Sequence, residues 1–403
     1  MVKYSCEKCG KEFSQKSHYD AHNRRKTPCV KNNDNIKLLV EKIVEETLKN
    51  MENNKIIDNE NNRLLVNKIV DNKIVDNKVE STVKSNLRVL DLFCGCGGMS
   101  KGLEDAGLKI VAGLDIWDKA IESYTKNFNH LGICQDISNL SPETFSNIYK
   151  IDKNSIDVIV GGPPCQGFSV AGKRDKKDPR NSLFMEYVKY LNYFNPKAFI
   201  MENVIGILSM KNSTNENVID IIMEELNKNY NCIICKLYAS DFEVPQNRRR
   251  VIIIGINKLL NIIPTEPIPI NTKENRIPVN NILLPKNEVD NTYYLSEKAL
   301  NGIKQKKEKA TKNGTGFGAQ FLKLDKPSYT IPARYWKDGY DALVKYSETE
   351  VRRLTILELK RIQSFPDDFI LLGNKKDQIM QIGNAVACKF AYHLGKHIIN
   401  ILQ

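Results

Sequence analysis

From residue 86 onward, short runs of apolar and β-branched residues alternate with segments that have the amphipathic spacing of helices. Strands that alternate with helices build a parallel, doubly wound sheet, so this part of the chain is predicted to have an α/β fold. Ligands of such sheets bind beyond the carboxyl ends of the strands. Functional residues are therefore expected directly after the predicted strands, which cover residues 87–93, 109–116, 156–162, 197–204 and 250–256.

The strand at 87–93 runs into a glycine-rich turn and a predicted helix, in the sequence DLFCGCGGMSKGLEDAG (91–107). Glycines let backbone N–H groups approach a ligand closely, although this turn is not a GxGxxG motif. Asp115 ends the following strand about twenty residues later, where a carboxylate binds the two hydroxyls of a ribose. Asp136 follows a further candidate strand, where a carboxylate is placed to accept a hydrogen bond from an adenine amino group. Together, the turn and the two carboxylates predict a cofactor that contains adenosine.

The sequence GGPPCQGFS (161–169) follows the strand at 156–162 and surrounds one cysteine, Cys165. Its prolines fix their own φ angles, and its glycines permit turns that no side chain would allow. From this stretch alone, a reactive thiol held in place and an inert buried cysteine are equally open interpretations.

Two further strand ends carry charged residues. Glu202 lies among apolar residues, which is expected to raise its pKa and suit it to donate a proton, whereas a paired core glutamate is the alternative. The sequence VPQNRRRVIIIG (244–255) brings three arginines to the mouth of a strand. Because side chains alternate along a strand, Arg248 and Arg250 are predicted to lie on one side, where they could orient a carboxylate or hold a phosphate.

Six blocks follow one another along the chain: DLFCGCGG, PPCQGFS, ENV, QNRRR, RRLTILELKRIQSFP (352–366) and QIGNAV (381–386). This ordered set resembles the cytosine-5 DNA methyltransferases of restriction–modification systems, and it covers nearly everything from residue 87 to the end. The resemblance implies a Rossmann-like methyltransferase fold with a smaller target-recognition domain and S-adenosyl-L-methionine as the cofactor. It also implies methyl transfer to C5 of a cytosine flipped out of a specific double-stranded DNA sequence.

The same resemblance implies roles for individual residues. Cys165 is the nucleophile that attacks C6 of the cytosine, Glu202 contacts N3 and the exocyclic amino group, and Arg248 and Arg250 support the flipped base and the Cys165–Glu202 pair. The implied cofactor-binding residues are Phe93, Gly95, Gly98, Asp115, Ile116, Asp136, Ile137, Pro164, Asn384 and Val386. The chain departs from the family where GNAV usually continues with prolines, since Ala387 and Cys388 stand there.

The resemblance also suggests a division of the chain. Residues 86–256 would form the catalytic domain, 257–369 the target-recognition domain, and 370–403 a C-terminal helix that completes the catalytic domain. DNA contacts are expected from Ser169 and from the segment that follows GTGFGAQFLKLDKPSYTIPA, namely Arg334, Tyr335, Trp336 and Lys337. The alternative for this segment is a packed, β-rich subdomain whose charges are solvated.

The N-terminal sequence YSCEKCGKEFSQKSHYDAHNRRKTPC (4–29) gives an independent signal. Two cysteines separated by two residues, and a histidine after twelve more, match a ββα zinc finger of the C2H2 type. The usual second histidine is missing, and a cysteine separated from His22 by six residues is expected to replace it. The predicted ligands of Zn²⁺ are Cys6, Cys9, His22 and Cys29. Residues 31–85 are predicted to be a low-complexity linker, with a self-associating coiled coil at 36–51 as the alternative.

The charge of the chain and its lack of a long apolar run agree with a nucleic-acid enzyme inside the cell. Lysine and arginine number 60 against 48 aspartates and glutamates, a formal charge of +12, which fits a polyanionic partner. No run approaches the roughly 18–20 apolar residues of a membrane span, and the N-terminus lacks the apolar core of a signal peptide. We therefore expect a cytoplasmic monomer, with a location in the nucleus as the alternative. Its expected partners are double-stranded DNA and a cognate restriction endonuclease, with no membrane.

Two other functions compete with DNA methylation. The first is methylation of RNA, but the tRNA-directed branch of the family typically has PPCQPF where this chain has PPCQGF. The second is a DNA-binding protein with an inactive methylase half. The intact set of Cys165, Glu202 and Arg248 argues against that second alternative.

Overall fold

The computed structural model describes residues 4–5, 12–13, 85–164, 183–212, 215–314, 319–337 and 339–403. The chain divides into two units, Met1–Ser81 and Thr82–Gln403. In the first unit, strands β1 (Tyr4–Ser5) and β2 (Glu12–Phe13) pair in antiparallel fashion. The predicted zinc ligands lie outside the described residues: Cys6, Cys9, His22 and Cys29.

The second unit is built on a seven-stranded sheet. Its strands in chain order are β3 (Arg88–Leu92), β4 (Lys109–Asp115), β5 (Leu131–Cys134), β6 (Val158–Gly161), β7 (Ala198–Val204), β8 (Tyr230–Tyr238) and β9 (Arg249–Asn257). Across the sheet the order is β5-β4-β3-β6-β7-β9-β8. Strands β3 to β7 are parallel, as predicted.

The prediction of a wholly parallel sheet is wrong at one edge, because β9 runs antiparallel to both of its neighbours, β7 and β8. The connection from β8 to β9 spans residues 239–248 and carries a single 3₁₀ turn, which is too short for the crossover that a parallel pair requires. One consequence bears on function. The amino-terminal end of β9 lies at the edge where the parallel strands end, with Arg250 opposite Val204.

Helices cover both faces of the sheet. In the described residues they are α1 (Gly98–Asp105), α2 (Asp118–Asn127), α3 (Pro142–Tyr149), α4 (Leu183–Phe194), α5 (Val218–Leu226), α6 (Glu297–Lys312), α7 (Ile356–Ile362), α8 (Lys375–Asn384) and α9 (Cys388–Leu402). Alternate residues of β3 show the two layers. Leu90 packs in a core with α3, α4 and α5, whereas Val89 packs in a core with α1 and α9.

A smaller part follows the sheet in the chain. Strands β10 (Leu343–Lys345) and β11 (Val351–Arg353) pair in antiparallel fashion, and α6 packs Leu300 and Ile303 against them. A buried ion pair joins β11 to α7, since both terminal nitrogens of Arg352 donate to the carboxylate of Glu358 at 2.8 Å. Within the described residues, no helix is long and apolar enough to cross a membrane.

Candidate active site

A cavity of about 720 Å³ opens at the edge where the parallel strands end. This is the position at which doubly wound sheets bind their ligands. One side, the strand-end wall, is formed by residues that follow β3, β4 and β5: Phe93, Gly95, Asp115, Ile116, Asp136 and Ile137. The other side, the ion-pair wall, is formed by residues at the ends of β6 and β7 and the start of β9: Gly162, Pro163, Pro164, Glu202, Arg248 and Arg250.

Nine of the ten residues predicted to bind the cofactor line this cavity: Phe93, Gly95, Asp115, Ile116, Asp136, Ile137, Pro164, Asn384 and Val386. The tenth, Gly98, is buried at the start of α1 and is not among the lining residues. A Cβ atom there would lie 2.2 Å from the carbonyl oxygen of Val386. Gly98 therefore lets α1 contact the turn between α8 and α9, which holds that turn at the cavity.

Asp115 fixes the shape of the glycine-rich turn. One of its carboxylate oxygens accepts a hydrogen bond from the backbone N–H of Gly95 at 2.9 Å, and the other accepts one from Trp117 at 2.9 Å. Burial raises the pKa of Asp115, and these N–H groups oppose that rise. Phe93 has a φ of 62°, a left-handed conformation that few residues other than glycine adopt. The carboxylate thus stabilises a turn that would otherwise be strained.

Asp136 and Ile116 form the far end of the strand-end wall. Asp136 caps a single 3₁₀ turn, Ile137–Asn139, by accepting a hydrogen bond from the backbone N–H of Ser138 at 2.9 Å. Ile116 is 67% exposed although it is large and apolar. An apolar side chain at the mouth of a cavity is able to cover a flat, apolar ligand surface.

Asp91 also lines the cavity and was not predicted from the sequence as a functional residue. Its side chain is 1% exposed and accepts a hydrogen bond from the Ser100 hydroxyl at 2.6 Å. Burial raises the pKa of Asp91 to about 7, against the effect of the Ser100 hydrogen bond. The Ser100 hydroxyl also lies 2.9 Å from the Tyr124 hydroxyl. The available signal was an acidic residue inside the otherwise apolar strand RVLDL.

Glu202 and Arg250 form the centre of the ion-pair wall. Arg250 lies opposite Val204 in the β7–β9 register, two residues from Glu202, so both side chains lie on the same face. Nε of Arg250 donates to Oε1 of Glu202 at 2.6 Å. A Cβ on Gly162 would lie 3.3 Å from Oε2 of Glu202, so the second carboxylate oxygen borders the start of the GGPPCQGFS loop. Glu202 is both paired and exposed to the cavity.

Arg248 has different partners from Arg250. It is 4% exposed, and its two terminal nitrogens donate to the carbonyl oxygens of Ile331 at 3.3 Å and Gly383 at 3.0 Å. Burial lowers the pKa of Arg248 to about 9, and the positive charge of Arg250 acts in the same direction. Nε of Arg248 has no hydrogen-bond partner among the described residues. The two arginines predicted to act together therefore divide into one that binds Glu202 and one that binds backbone carbonyls.

The predicted nucleophile Cys165 and the predicted DNA contact Ser169 lie outside the described residues. The described residues on either side of that stretch, Pro164 and Leu183, both line the cavity. The side-chain amide of Asn203 donates to the carbonyl oxygen of Pro163 at 3.0 Å. The residues that lead into the stretch are thereby fixed at the ion-pair wall.

The remaining predicted DNA contacts lie in or beside the 3₁₀ turn Ala333–Trp336. Arg334 is exposed and pairs with Asp341 at 3.1 Å, and the Lys337 ammonium lies 5.8 Å from the centroid of the Trp336 ring. Tyr335 differs, because its side chain is buried. Its hydroxyl donates to the carbonyl oxygen of Ala342 and accepts a hydrogen bond from the backbone N–H of Leu354. We therefore correct the prediction for Tyr335, which packs in the core and does not face a DNA surface.

Comparison with known proteins identifies the family. Residues 87–400 match the family described as C-5 cytosine-specific DNA methylase. The chain is 33% identical over 338 residues to the type II methyltransferase M1.HphI of Haemophilus parahaemolyticus, covering 78% of this chain and 87% of that protein. It is 46% identical over 173 residues to the type II methyltransferase M.DdeI of Desulfomicrobium norvegicum, covering 42% of this chain and 40% of that protein.

A solved structure of a candidate DNA modification methyltransferase encoded within a prophage (E. coli) has a similar fold. The TM-score is 0.62 at 25% identity, and the match covers 79% of this chain and 99% of that one. The family match spans the whole sheet, both walls of the cavity and the turn between α8 and α9. This chain therefore belongs to the C-5 cytosine-specific DNA methylases.

Proposed function

We propose that this chain transfers the methyl group of S-adenosyl-L-methionine to C5 of a cytosine in a specific double-stranded DNA sequence, in a restriction–modification setting. The observation that carries the proposal is the joining of two different walls in one cavity. The strand-end wall has the carboxylates and apolar cover that suit an adenosine group. The ion-pair wall holds Glu202 beside the start of the loop that carries Cys165.

The cavity fits the cofactor in size and lining. Pockets for ligands of this size enclose roughly 300–1,000 Å³, and the volume here is about 720 Å³. Phe93 and Ile116 would cover the adenine, Asp136 would accept from its amino group, and Asp115 would bind the ribose. When bound, S-adenosyl-L-methionine supplies an electrophilic methyl group. Since both oxygens of Asp115 already accept backbone N–H groups, the ribose hydroxyls share a carboxylate that is fixed in place.

The residues of the ion-pair wall would activate the cytosine. The thiolate of Cys165 adds to C6, and the electron pair of the C5–C6 double bond moves toward C5, which becomes nucleophilic. Glu202 holds a proton at N3, so that negative charge does not accumulate on the ring. Arg250 fixes Oε1 of Glu202, which leaves Oε2 for the base. After methyl transfer, loss of the C5 proton and release of the thiolate restore the aromatic ring. A stacked base cannot reach this wall, so the cytosine must be flipped out.

DNA would approach across the Ala333–Trp336 turn, which is next to the cavity residues Pro332 and Ala333. Arg334 and Lys337 supply positive charge there. A third cation, Lys376 of α8, lies 4.7 Å from the centroid of the Trp336 ring. This arrangement supports DNA contacts by Arg334 and Lys337. The proposed division of the chain is a catalytic domain at 86–256, a target-recognition domain at 257–369, and a C-terminal completion of the catalytic domain at 370–403.

The N-terminal segment would bind one Zn²⁺ through Cys6, Cys9, His22 and Cys29. The antiparallel pairing of β1 and β2 supports this proposal, because a ββα finger has such a hairpin and the first two cysteines lie in the connection between its strands. In the full-length protein, we expect about one zinc per chain, lost in Cys6→Ser and kept in the control Cys134→Ser. A wild-type chain that binds no zinc would refute the finger without affecting the methylation proposal.

The central experiment is expression of the full chain in a host free of cytosine methylation, followed by bisulfite sequencing of its DNA and RNA. We expect unconverted cytosines in one fixed DNA sequence context. Conversion of every DNA cytosine would overturn the proposal, and protection confined to RNA would favour the RNA alternative. Cys165→Ser should abolish the protection and retain cofactor binding. The control Cys232→Ser, on the edge strand β8, should leave it unchanged.

A further inference from the structure

Two glutamines with no part in the proposed chemistry form a buried hydrogen-bonded pair. Gln246 and Gln363 are both 0% exposed, and Nε2 of Gln246 donates to Oε1 of Gln363 at 3.0 Å. Their remaining amide groups bind backbone. Oε1 of Gln246 accepts from the N–H of Ile331 at 3.0 Å, and Nε2 of Gln363 donates to the carbonyl oxygens of Ile382 at 2.8 Å and Ala385 at 3.2 Å. Buried amides are costly unless bonded in this way.

These bonds join four segments that are distant in sequence: the residues before β9, the segment at 328–333, the residue after α7, and the end of α8 with the turn that follows it. Arg248 joins the first two of these to the end of α8, through the carbonyl oxygens of Ile331 and Gly383. Both backbone polar groups of Ile331 are therefore held from the start of β9, one by Gln246 and the other by Arg248. A fully bonded buried network of this kind favours a single arrangement of the segments it joins.

Two of the joined segments touch directly. A Cβ on Gly383 would lie 2.5 Å from both N and Cα of Ala333. On one side of this contact the turn continues to Asn384 and Val386, which line the cavity as proposed cofactor contacts. On the other side, the chain continues from Ala333 to Arg334, a proposed DNA contact. Because Gly383 has no side chain, the two backbones lie in direct contact, and the buried bonds of Gln246 and Gln363 hold the turn against the DNA-facing segment, residues 331–337.

We propose that Gln246 and Gln363 are positioning residues that couple cofactor binding to DNA binding. The coupling rests on the proposed function, since it requires the cofactor at Asn384 and Val386 and DNA at residues 333–337. A cofactor that fixes the turn also fixes the DNA-facing segment in its binding position, so that less ordering remains when DNA binds. Coupling between two sites is reciprocal, so DNA must tighten cofactor binding by the same factor.

The test measures the dissociation constant of S-adenosyl-L-homocysteine with and without a duplex that contains the methylated context, and that of the duplex with and without S-adenosyl-L-homocysteine. In the wild type we expect each ligand to tighten the other by about 5- to 150-fold. In Gln363→Leu, the factor should fall to near one, while each ligand alone binds within about threefold of wild type. A wild type without coupling, or a variant that keeps the wild-type factor, would overturn the proposal.

The matched control is Gln378→Leu. Gln378 lies on α8 and also donates to two carbonyl oxygens, those of Leu371 and Gly373, but neither bond reaches the other segments of the network. It should keep the coupling. If Gln363→Leu does not fold, Gln363→Met is measured instead, since it keeps the length of the side chain and loses its donors. If no DNA is methylated, the binding measurements use sheared genomic duplex in place of the specific duplex. The coupling can then fail or hold independently of the methylation proposal.

Discussion

The two walls of the cavity are held in place by different kinds of interaction. The strand-end wall comes from residues 93–137, and its carboxylates are fixed by backbone N–H groups within a few residues of a strand end. The ion-pair wall combines the ends of β6 and β7 with the start of β9, and its charges are fixed by each other and by carbonyl oxygens from residues 331 and 383. The first wall depends on local turns, and the second depends on the assembly of distant segments.

This difference predicts how substitutions in the two walls will behave. A change in the strand-end wall should alter the affinity for the cofactor and leave the chemical step intact. A change in the ion-pair wall should alter the chemical step and leave the cofactor in place. Measurements that separate cofactor binding from turnover therefore test the assignment of each wall.

The largest effect is expected for Glu202→Gln in the ion-pair wall. A glutamine keeps the size of the side chain but cannot donate a carboxyl proton toward N3, so the methylation rate should fall by about 10²- to 10⁴-fold. The dissociation constant of S-adenosyl-L-homocysteine should stay within about twofold of wild type. The control is Glu225→Gln, at a half-buried residue of α5 that pairs with the exposed Lys228 outside the cavity. If the variant binds the cofactor more weakly but methylates at the wild-type rate, Glu202 acts in cofactor binding, and the assignment of the ion-pair wall to the chemical step is wrong.

Asp91, a buried residue that also lines the cavity, should make the stability of the protein depend on pH. Burial raises its pKa to about 7, above the unfolded value of about 3.9. The folded state therefore binds the extra proton, and this stabilisation is complete below about pH 4 and lost as the pH rises through 7, by about 4 kcal/mol. Asp91→Asn stays neutral and should remove this loss from urea unfolding curves measured between about pH 4 and 8.

The control for the pH experiment is Asp105→Asn, an exposed partner of Lys101 at the end of α1. It should keep the wild-type slope of unfolding free energy against pH. A slope that is the same in wild type and Asp91→Asn would mean that the carboxyl of Asp91 titrates alike in the folded and unfolded states.

The strand-end wall could be predicted from sequence because each of its residues directly follows a strand whose apolar run is visible. Asp115 illustrates this, since its spacing from the glycine-rich turn is enough to place it at the cavity. Asp91 was missed because a carboxylate inside a strand reads as an interruption of the apolar pattern, and only the fold shows that Ser100 satisfies it.

The ion-pair wall could be predicted only in part. Arg248 and Arg250 both line the cavity, although Arg248 lies just before β9. Alternation could not show that their partners differ, because the partners of Arg248 are 83 and 135 residues away. The antiparallel direction of β9 could not be predicted from the strand itself. The direction of a strand depends on the length of the connection before it and not on the strand's composition. The buried hydroxyl of Tyr335 is satisfied by the backbone of Ala342 and Leu354, and no local sequence pattern links these two residues to Tyr335.

A smaller effect is expected for Asp115→Asn in the strand-end wall. The amide nitrogen cannot accept a hydrogen bond, so the variant loses one of the two backbone N–H bonds of the carboxylate, each worth about 1.5–3 kcal/mol. The dissociation constant of S-adenosyl-L-homocysteine should rise by roughly 10- to 150-fold, and the rate at saturating cofactor should stay close to wild type. The control Asp118→Asn removes an exposed carboxylate beside Lys119 at the start of α2. If Asp118→Asn weakens cofactor binding as much as Asp115→Asn does, the effect comes from the loss of one negative charge near the cavity and not from a contact of Asp115.

The smallest effect is expected for Ile116→Ala, and it separates packing on the ligand from packing in the protein. Because Ile116 is 67% exposed, its truncation should change the free energy of unfolding by less than about 0.5 kcal/mol. Loss of its cover over the cofactor should cost about 1 kcal/mol, or roughly fivefold in the dissociation constant. The control Leu259→Ala, at a side chain 80% exposed outside the cavity, should change neither quantity. An unchanged dissociation constant together with a reduced rate would instead place Ile116 with the ion-pair wall, beside the base rather than the cofactor.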